Sequence, residues 1–281
     1  MDVSVEKNVQ YALHDGVALS GELYSPKGGA GKTPILIAVH GGAWKLGSAG
    51  FYQYWGPYLA SRGIAVFSVD YRLVAGAANR YPAAVHDVRA AVQFVRANAG
   101  RLGIDAERIG LAGDSAGGHL SALVALAGDQ PEFRSGYPKD PHAATSTAVK
   151  VVAGVYGVYD LIAQWQHDLV LRTRDNIGEN FLGTSPLEDR RIFHQASPLT
   201  YVTSHANKTA FLLIWGTEDE VVDWHTQSWP FLTALRQAAY FTRSVVIPGA
   251  GHYWMTQPID EPHSHAAMLA PKLARFLKDQ L

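Results

Sequence analysis

The sequence predicts an α/β fold: a mostly parallel central sheet of about eight strands, helices on both faces, and a small cap from internal insertions. Three observations carry this. Apolar runs without polar alternation recur along the chain, as in Pro34 to Val39, Ile64 to Val69 and Ala210 to Trp215. Such runs mark strands covered on both faces. Segments of helical spacing lie between them, so strand and helix alternate as in βαβ units. With 281 residues and 47% hydrophobic content, the chain has enough apolar mass for one large core, and a single domain over 1–281 is expected.

The elements follow in order. Val9 to Leu13 and Val17 to Tyr24 alternate apolar with polar and are joined by His14-Asp15-Gly16, a hairpin signal. Lys27 to Lys32 is Gly-rich but lacks phosphate-loop spacing and precedes a strand, so it is an exposed turn. The strand Pro34 to Val39 ends in His40-Gly41-Gly42-Ala43-Trp44, and Ile64 to Val69 ends at Asp70-Tyr71-Arg72. Pro82 to Asn98 carries Val85, Val88, Val92 and Val95 at helical spacing, with Pro82 suited to a first turn. Arg108 to Ala112 is a strand leading into Gly113-Asp114-Ser115-Ala116-Gly117, and His119 to Leu126 is the helix leading out. Ala148 to Val155, Ala210 to Trp215 and Ser244 to Ile247 are further strands, and Ser264 to Leu281 is a closing amphipathic helix. Two segments break the alternation, 129–147 and about 160–208; insertions over the carboxyl edge of a sheet are natural lids or pocket walls.

Ser115 stands at the apex of a strand–turn–helix elbow. A hydroxyl is a weak nucleophile at neutral pH, so it needs exposure, a base and stabilisation of the anion it creates. The elbow provides the exposure, and Gly113 and Gly117 relieve its crowding. The strand Ala210 to Trp215 is followed by Gly216-Thr217-Glu218-Asp219, and Ser244 to Ile247 by Pro248-Gly249-Ala250-Gly251-His252. Nucleophile, acid and base thus follow three different strands in the α/β-hydrolase order. Glu218 and Asp223 compete for the acid role; Asp219 is favoured because Gly216-Thr217 turns the chain just before it. Gly41, Gly42 and the N–H of Ala116 are the expected oxyanion donors, each worth about 2.7–4 kcal/mol of transition-state stabilisation. His40 is expected to anchor that loop, His119 to lie beneath the elbow, Asp114 to be structural, and His86 and Asp87 to tie loops. Trp44, Tyr156, Trp224, His225, Tyr253 and Trp254 fall near the catalytic loops, where pocket wall and core packing compete. His263 and His265 beside Asp260 and Glu261 show no matching ligand set for a metal.

Composition excludes several classes. Net charge is −1 with no basic run, which points away from nucleic acid and anionic membrane surfaces. With no cysteine, disulfides and thiolate metal sites are excluded. No charged-then-apolar leader opens the chain and no apolar run is long enough to span a bilayer, so a cytoplasmic protein is expected. The expected partner is a small-molecule substrate with no cofactor and no metal, and a homo-oligomer is compatible with the sequence.

Several stretches together resemble the esterase branch of the α/β-hydrolase superfamily near hormone-sensitive lipase, especially its bacterial feruloyl-esterase-like and carboxylesterase subgroup. They are His40 to Trp44, Asp70-Tyr71-Arg72-Leu73, Tyr81-Pro82-Ala83-Ala84 with Asp87, Gly113 to Gly118, Gly216 with Asp219, and Gly251-His252. The likeness runs from about Pro34 to the C-terminus. It implies an ester hydrolase with Ser115, Asp219 and His252 as triad and Gly41, Gly42 and Ala116 as oxyanion donors. Larger members carry an N-terminal helical cap, whereas here only a short hairpin precedes the core, so the insertions are expected to roof the pocket. Val74-Ala75-Gly76 stands where the family often has Ala-Pro-Glu. Kynurenine formamidases look similar too and share the His-Gly-Gly-x-Trp stretch, but Asp114 and Gly118 resemble the esterases more. The expected activity is hydrolysis of small to medium carboxylic esters, aromatic ones included, through an acyl-enzyme. The alternative is an aryl-formamidase. More distant is a non-catalytic ligand receptor on the same fold, against which His252 argues.

Overall fold

The computed structural model describes residues 1–28 and 32–281; the centre of the expected turn at Lys27 to Lys32 lies outside the described residues. Eight strands form one sheet in the order β1-β2-β4-β3-β5-β6-β7-β8. β1 (Val3–His14) and β2 (Val17–Pro26) are the predicted hairpin. Asp15 and Gly16 both have positive φ, 49° and 78°, which a two-residue turn of matching twist demands. β2 runs antiparallel to β4 (Ala65–Val69), while β3 (Thr33–Val39), β4, β5 (Ile104–Asp114), β6 (Val151–Val155), β7 (Ala210–Gly216) and β8 (Thr242–Ile247) are parallel neighbours. Every residue of β4, β6 and β7 is buried, as their unbroken apolar runs require.

Ten helices accompany the sheet among the described residues. They are α1 (Trp55–Ala60), α2 (Ala83–Ala97), α3 (Ala99–Leu102), α4 (Ala116–Ala127), α5 (Pro131–Arg134), α6 (Leu161–Leu171), α7 (Ile177–Leu182), α8 (Arg190–Ala196), α9 (Ser228–Gln237) and α10 (His265–Gln280). Strand side chains alternate between the two faces. Ile35, Ile37, Phe67, Leu111, Val152 and Leu213 join a core with α2, α4 and α9, and Leu36, Val66, Ala112, Val151, Leu212 and Ile214 join a second with α1 and α10.

The two insertions do different things. The segment 129–147 does not reach the catalytic loops through its side chains. It lies over α2 and the hairpin: Gln93 donates to the carbonyls of Ala143 and Thr145, and Asp140 and Tyr137 bond to His14 and Asp15. The expectation of a lid there is corrected, because its polar side chains bond the hairpin, one another and Tyr201: Asp129 accepts from Ser146 and Thr147, and Glu132 accepts from the Tyr201 hydroxyl. The segment 160–208, holding α6, α7 and α8, does reach the carboxyl edge near Ser115. Lys45 pairs with Asp175, and Trp44 stacks on Phe181.

The pairing register brings the carboxyl ends of the parallel strands to one edge: Val39 is level with Val69 and Gly113, Asp114 with Val155, and Gly216 with Ile247. Function in such sheets gathers outside that edge.

Candidate active site

Ser115 joins β5 to α4 with φ 52° and ψ −119°, a strained conformation that turns the chain sharply from strand to helix. The turn is tight enough to require glycine on both sides. A Cβ on Gly113 would stand 2.2 Å from the Gly117 backbone, and one on Gly117 would stand 1.9 Å from the Val39 carbonyl oxygen. The N–H of Ser115 donates to the Val155 carbonyl at 2.9 Å, fixing the elbow to β6.

His252 approaches from the loop after β8. Its Nε2 lies 3.0 Å from Ser115 Oγ, and its Nδ1 lies 2.7 Å from Asp219 Oδ2. Asp219 follows β7, and its other oxygen, Oδ1, accepts from the N–H groups of Val221 and Val222, each at 2.9 Å. The carboxylate is therefore held by its own backbone with one oxygen aimed at the ring. Because that oxygen accepts, Nδ1 carries the proton and Nε2 presents its lone pair to the serine hydroxyl. The two rivals are elsewhere: Glu218 is exposed, and Asp223 bonds His225 Nδ1 at 2.9 Å.

On the candidate oxyanion side, one of the three expected donors is already engaged within the protein. Gly41 N–H donates to Asp114 Oδ1 at 3.1 Å, so it is withdrawn from the pocket. Among the described residues the N–H groups of Gly42, Ala43 and Ala116 make no hydrogen bond within the protein. Ala43 is thus a candidate donor that sequence reasoning missed; its position directly after Gly41-Gly42 was the available signal. Asp114 also accepts from Tyr52 at 3.1 Å. Burial pushes its carboxyl up to about 6, against the opposing effects of the Tyr52 hydroxyl, the nearby His252 ring and the Gly41 N–H.

The aromatic residues divide by burial. Trp44, Tyr156 and Trp254 are fully buried, so for these three core packing prevails over a place on the pocket wall, and their candidacy as substrate-binding residues is corrected. Trp44 bonds His119; Tyr156 lies under His252 with ring centroids 4.3 Å apart and accepts from Met255 N–H at 3.2 Å; Trp254 meets Tyr156 edge-on at 5.1 Å. Their apolar area is worth more in the core than at a wet mouth. Tyr253 is 67% exposed and stands edge-on to His252 at 4.6 Å, while half-buried Trp224 stacks between Trp215 and exposed His225.

The remaining motif residues are structural. His40 Nδ1 bonds the Gly41 carbonyl at 2.7 Å and its ring stacks on Tyr71. Asp87 binds His14, the Arg72 backbone N–H and the Arg72 guanidinium, which also reaches Asp15. His86 is largely buried, and burial pushes it down to about 4. Among the described residues no group of three or more histidine or carboxylate side chains is gathered for a metal, and no helix is long and apolar enough to cross a membrane.

The fold is that of the α/β-hydrolases, and its carboxyl edge holds a serine, a histidine and an aspartate in hydrogen-bonded sequence. Residues 22–235 match the BD-FAE family, and the chain belongs to it. It is similar to Esterase LipC of Mycobacterium tuberculosis, 34% identical over 235 residues, 78% of this chain and 52% of that one. It is also similar to Esterase LipQ of the same organism, 33% identical over 227 residues, 79% of this chain and 50% of that one. The chain spans about half the length of the curated relatives it matches. Among solved structures, a truncated carbohydrate esterase from gut microbiota superposes with a TM-score of 0.79 at 23% identity, covering 99% of this chain and 96% of that one. The apo form of Thermogutta terrifontis esterase 2 superposes with a TM-score of 0.79 at 24% identity, covering 99% and 94%. These two likenesses show the fold.

Proposed function

We propose that this chain is a serine carboxylesterase that uses Ser115, His252 and Asp219 and passes through an acyl-enzyme. The observation that carries the reading is the relay of two contacts, Ser115 Oγ to His252 Nε2 at 3.0 Å and His252 Nδ1 to Asp219 at 2.7 Å. Attack of Oγ on the ester carbonyl transfers the hydroxyl proton to Nε2. Asp219 holds the tautomer and stabilises the imidazolium. The carbonyl oxygen becomes an oxyanion facing the N–H groups of Gly42, Ala43 and Ala116. The imidazolium then protonates the departing alcohol, and a water activated by the same ring releases the acid. The names of the relatives, esterases LipC and LipQ, support the same reaction class.

The substrates proposed are uncharged esters of small to medium acids, aryl esters included, with Tyr253 as the aromatic surface beside His252. An amino-acid-bearing amide such as N-formylkynurenine is disfavoured, because its carboxylate needs a cationic partner. Of the candidate arginines, Arg72 is occupied by Asp87 and Asp15, Arg172 stands 3.6 Å from Asp168, and Arg174 is solvent-exposed.

The test assays p-nitrophenyl acetate, feruloyl and acetylated-sugar esters and N-formylkynurenine side by side, with Ser115→Ala as control. Short aryl esters should exceed N-formylkynurenine by at least about a hundredfold in kcat/KM, the loss expected when about 3 kcal/mol of transition-state binding is missing. Ser115→Ala should abolish turnover while leaving the circular-dichroism melt in place. Faster hydrolysis of N-formylkynurenine would replace the esterase by a formamidase. Turnover above about a tenth of wild type in Ser115→Ala would remove Ser115 from the mechanism.

A further inference from the structure

The loop that faces the oxyanion is held in a conformation its own residues do not favour. Gly42, Ala43 and Trp44 have φ of 114°, 52° and 59°. Two consecutive side-chain-bearing residues in the left-handed region persist only where their surroundings over-determine them. The surroundings here are specific. The Trp44 indole N–H donates to His119 Nδ1 at 3.2 Å. Its ring stacks on Phe181 of α7, centroids 4.3 Å apart and planes 12° off parallel. Its carbonyl accepts from Val74 N–H at 2.9 Å.

His119 is the hub of this arrangement. It lies one turn after Ser115 in α4, fully buried, and its Nε2 is 2.7 Å from the Ala196 carbonyl oxygen at the end of α8. A carbonyl only accepts, so Nε2 carries the proton and Nδ1 keeps the lone pair that Trp44 needs. Burial pushes His119 down to about 4, so the ring stays neutral and keeps this tautomer at the pH of ester hydrolysis. A continuous line of contacts therefore runs from the 160–208 insertion, through the helix that carries the nucleophile, to the residue next to the Gly42 and Ala43 amides.

We propose that His119 and Trp44 are positioning residues for the oxyanion hole, and that the 160–208 insertion sets that hole through the Ala196 carbonyl and the Phe181 ring. The proposal rests on the reading of the site as a serine esterase. It separates the insertion's two roles: besides walling the pocket, it locks the donors. Donors act only when they stand about 2.7–3.1 Å from where the oxyanion forms, and that charge exists in the transition state and not in the bound ester. A loosened loop therefore lowers kcat and spares KM.

Trp44→Phe removes the N–H and keeps an aromatic ring over Phe181. His119→Leu removes the acceptor, and His119→Asn returns an acceptor oxygen near the Nδ1 position. The readouts are kcat and KM with p-nitrophenyl acetate, and inhibition by phenylboronic acid, which binds as a tetrahedral adduct on Ser115 with an oxygen in the hole. Thermal melts establish that each variant is folded. Trp44→Phe should lower kcat about 10–100-fold, somewhat less than outright loss of a donor, with KM within about threefold. Boronate affinity should weaken in parallel. The double variant Trp44→Phe/His119→Leu should be no worse than the worse single one, since both delete the same bond. His119→Asn should recover part of the His119→Leu loss, and it decides the matter if His119→Leu does not fold. A folded Trp44→Phe with kcat within about twofold of wild type, or a rise in KM alone with unchanged boronate binding, overturns the proposal. If wild type itself fails to hydrolyse the ester, the functional reading falls and this one with it. If wild type is active and Trp44→Phe matches it, this one alone falls.

Discussion

Asp219→Asn is the sharpest probe of the relay, because the structure specifies how the substituted side chain would sit. Asp219 Oδ1 accepts two backbone N–H groups, from Val221 and Val222, at 2.9 Å each. In the variant only the amide oxygen can take that place, since an NH2 group there would meet two donors. The NH2 group is thereby forced toward His252 Nδ1, where the carboxylate oxygen stood at 2.7 Å. A donor facing Nδ1 selects the tautomer with its proton on Nε2, and that proton points at Ser115 Oγ, 3.0 Å away. The ring can no longer accept the serine proton. The geometry survives and the chemistry is reversed, so kcat should fall about 10³–10⁴-fold, or about 4–5.5 kcal/mol of transition-state stabilisation. The measurement is kcat with p-nitrophenyl acetate at pH 8, alongside Glu218→Gln and Asp223→Asn as controls; both should stay within about threefold of wild type. An Asp219→Asn variant retaining more than a tenth of the activity, or a larger loss in Glu218→Gln, would refute the reasoning.

Three further outcomes are expected. His14 is fully buried between Asp87 and Asp140; burial lowers its pKa, but the hydrogen bonds to the two carboxylates outweigh this and raise it above the ordinary histidine value. A raised folded-state pKa contributes stability that is complete below the unfolded value of about 6.5 and is lost as pH rises through the folded one. His14→Gln should therefore lower Tm more at pH 6 than at pH 9 in scanning calorimetry; an equal loss at both would show that His14 acts by packing alone. Asp114, raised to about 6, favours the protonated folded state, so the fold loses this contribution between about pH 4 and pH 6. Asp114→Asn should flatten the dependence of Tm on pH over that interval, and an unchanged slope would remove the carboxyl as its source. Gly117→Ala places a Cβ 1.9 Å from the Val39 carbonyl oxygen, a backbone atom within the sheet that cannot move aside. Chemical denaturation should show a loss at or beyond the upper end of the usual overpacking range of about 1–3 kcal/mol; a loss under about 0.5 kcal/mol would contradict the crowding at the elbow.

The fold was legible because its signals are local. An apolar run states that both faces of a strand are covered, Asp15-Gly16 supplies the two positive φ angles of the hairpin, and the glycines around Ser115 state that another backbone passes close by. The order of Ser115, Asp219 and His252 after three strands was legible for the same reason, since parallel strands deliver their ends to one edge whatever lies between. What only the tertiary structure decided is which polar group meets which. Gly41 and Asp114 are 73 residues apart, Trp44 and His119 75, and His14 and Asp87 73. No periodicity within a strand or helix encodes such a pairing. It depends on how the layers close on one another, and that closure engaged the Gly41 N–H with Asp114, left the Ala43 N–H without a partner within the protein, and sank Trp44, Tyr156 and Trp254 into the core. The same holds for the insertions. Both interrupt the strand–helix alternation in the same way, yet one settles on the hairpin and the other against the helix that follows Ser115, because buried polar groups must find partners and those partners lie on different elements.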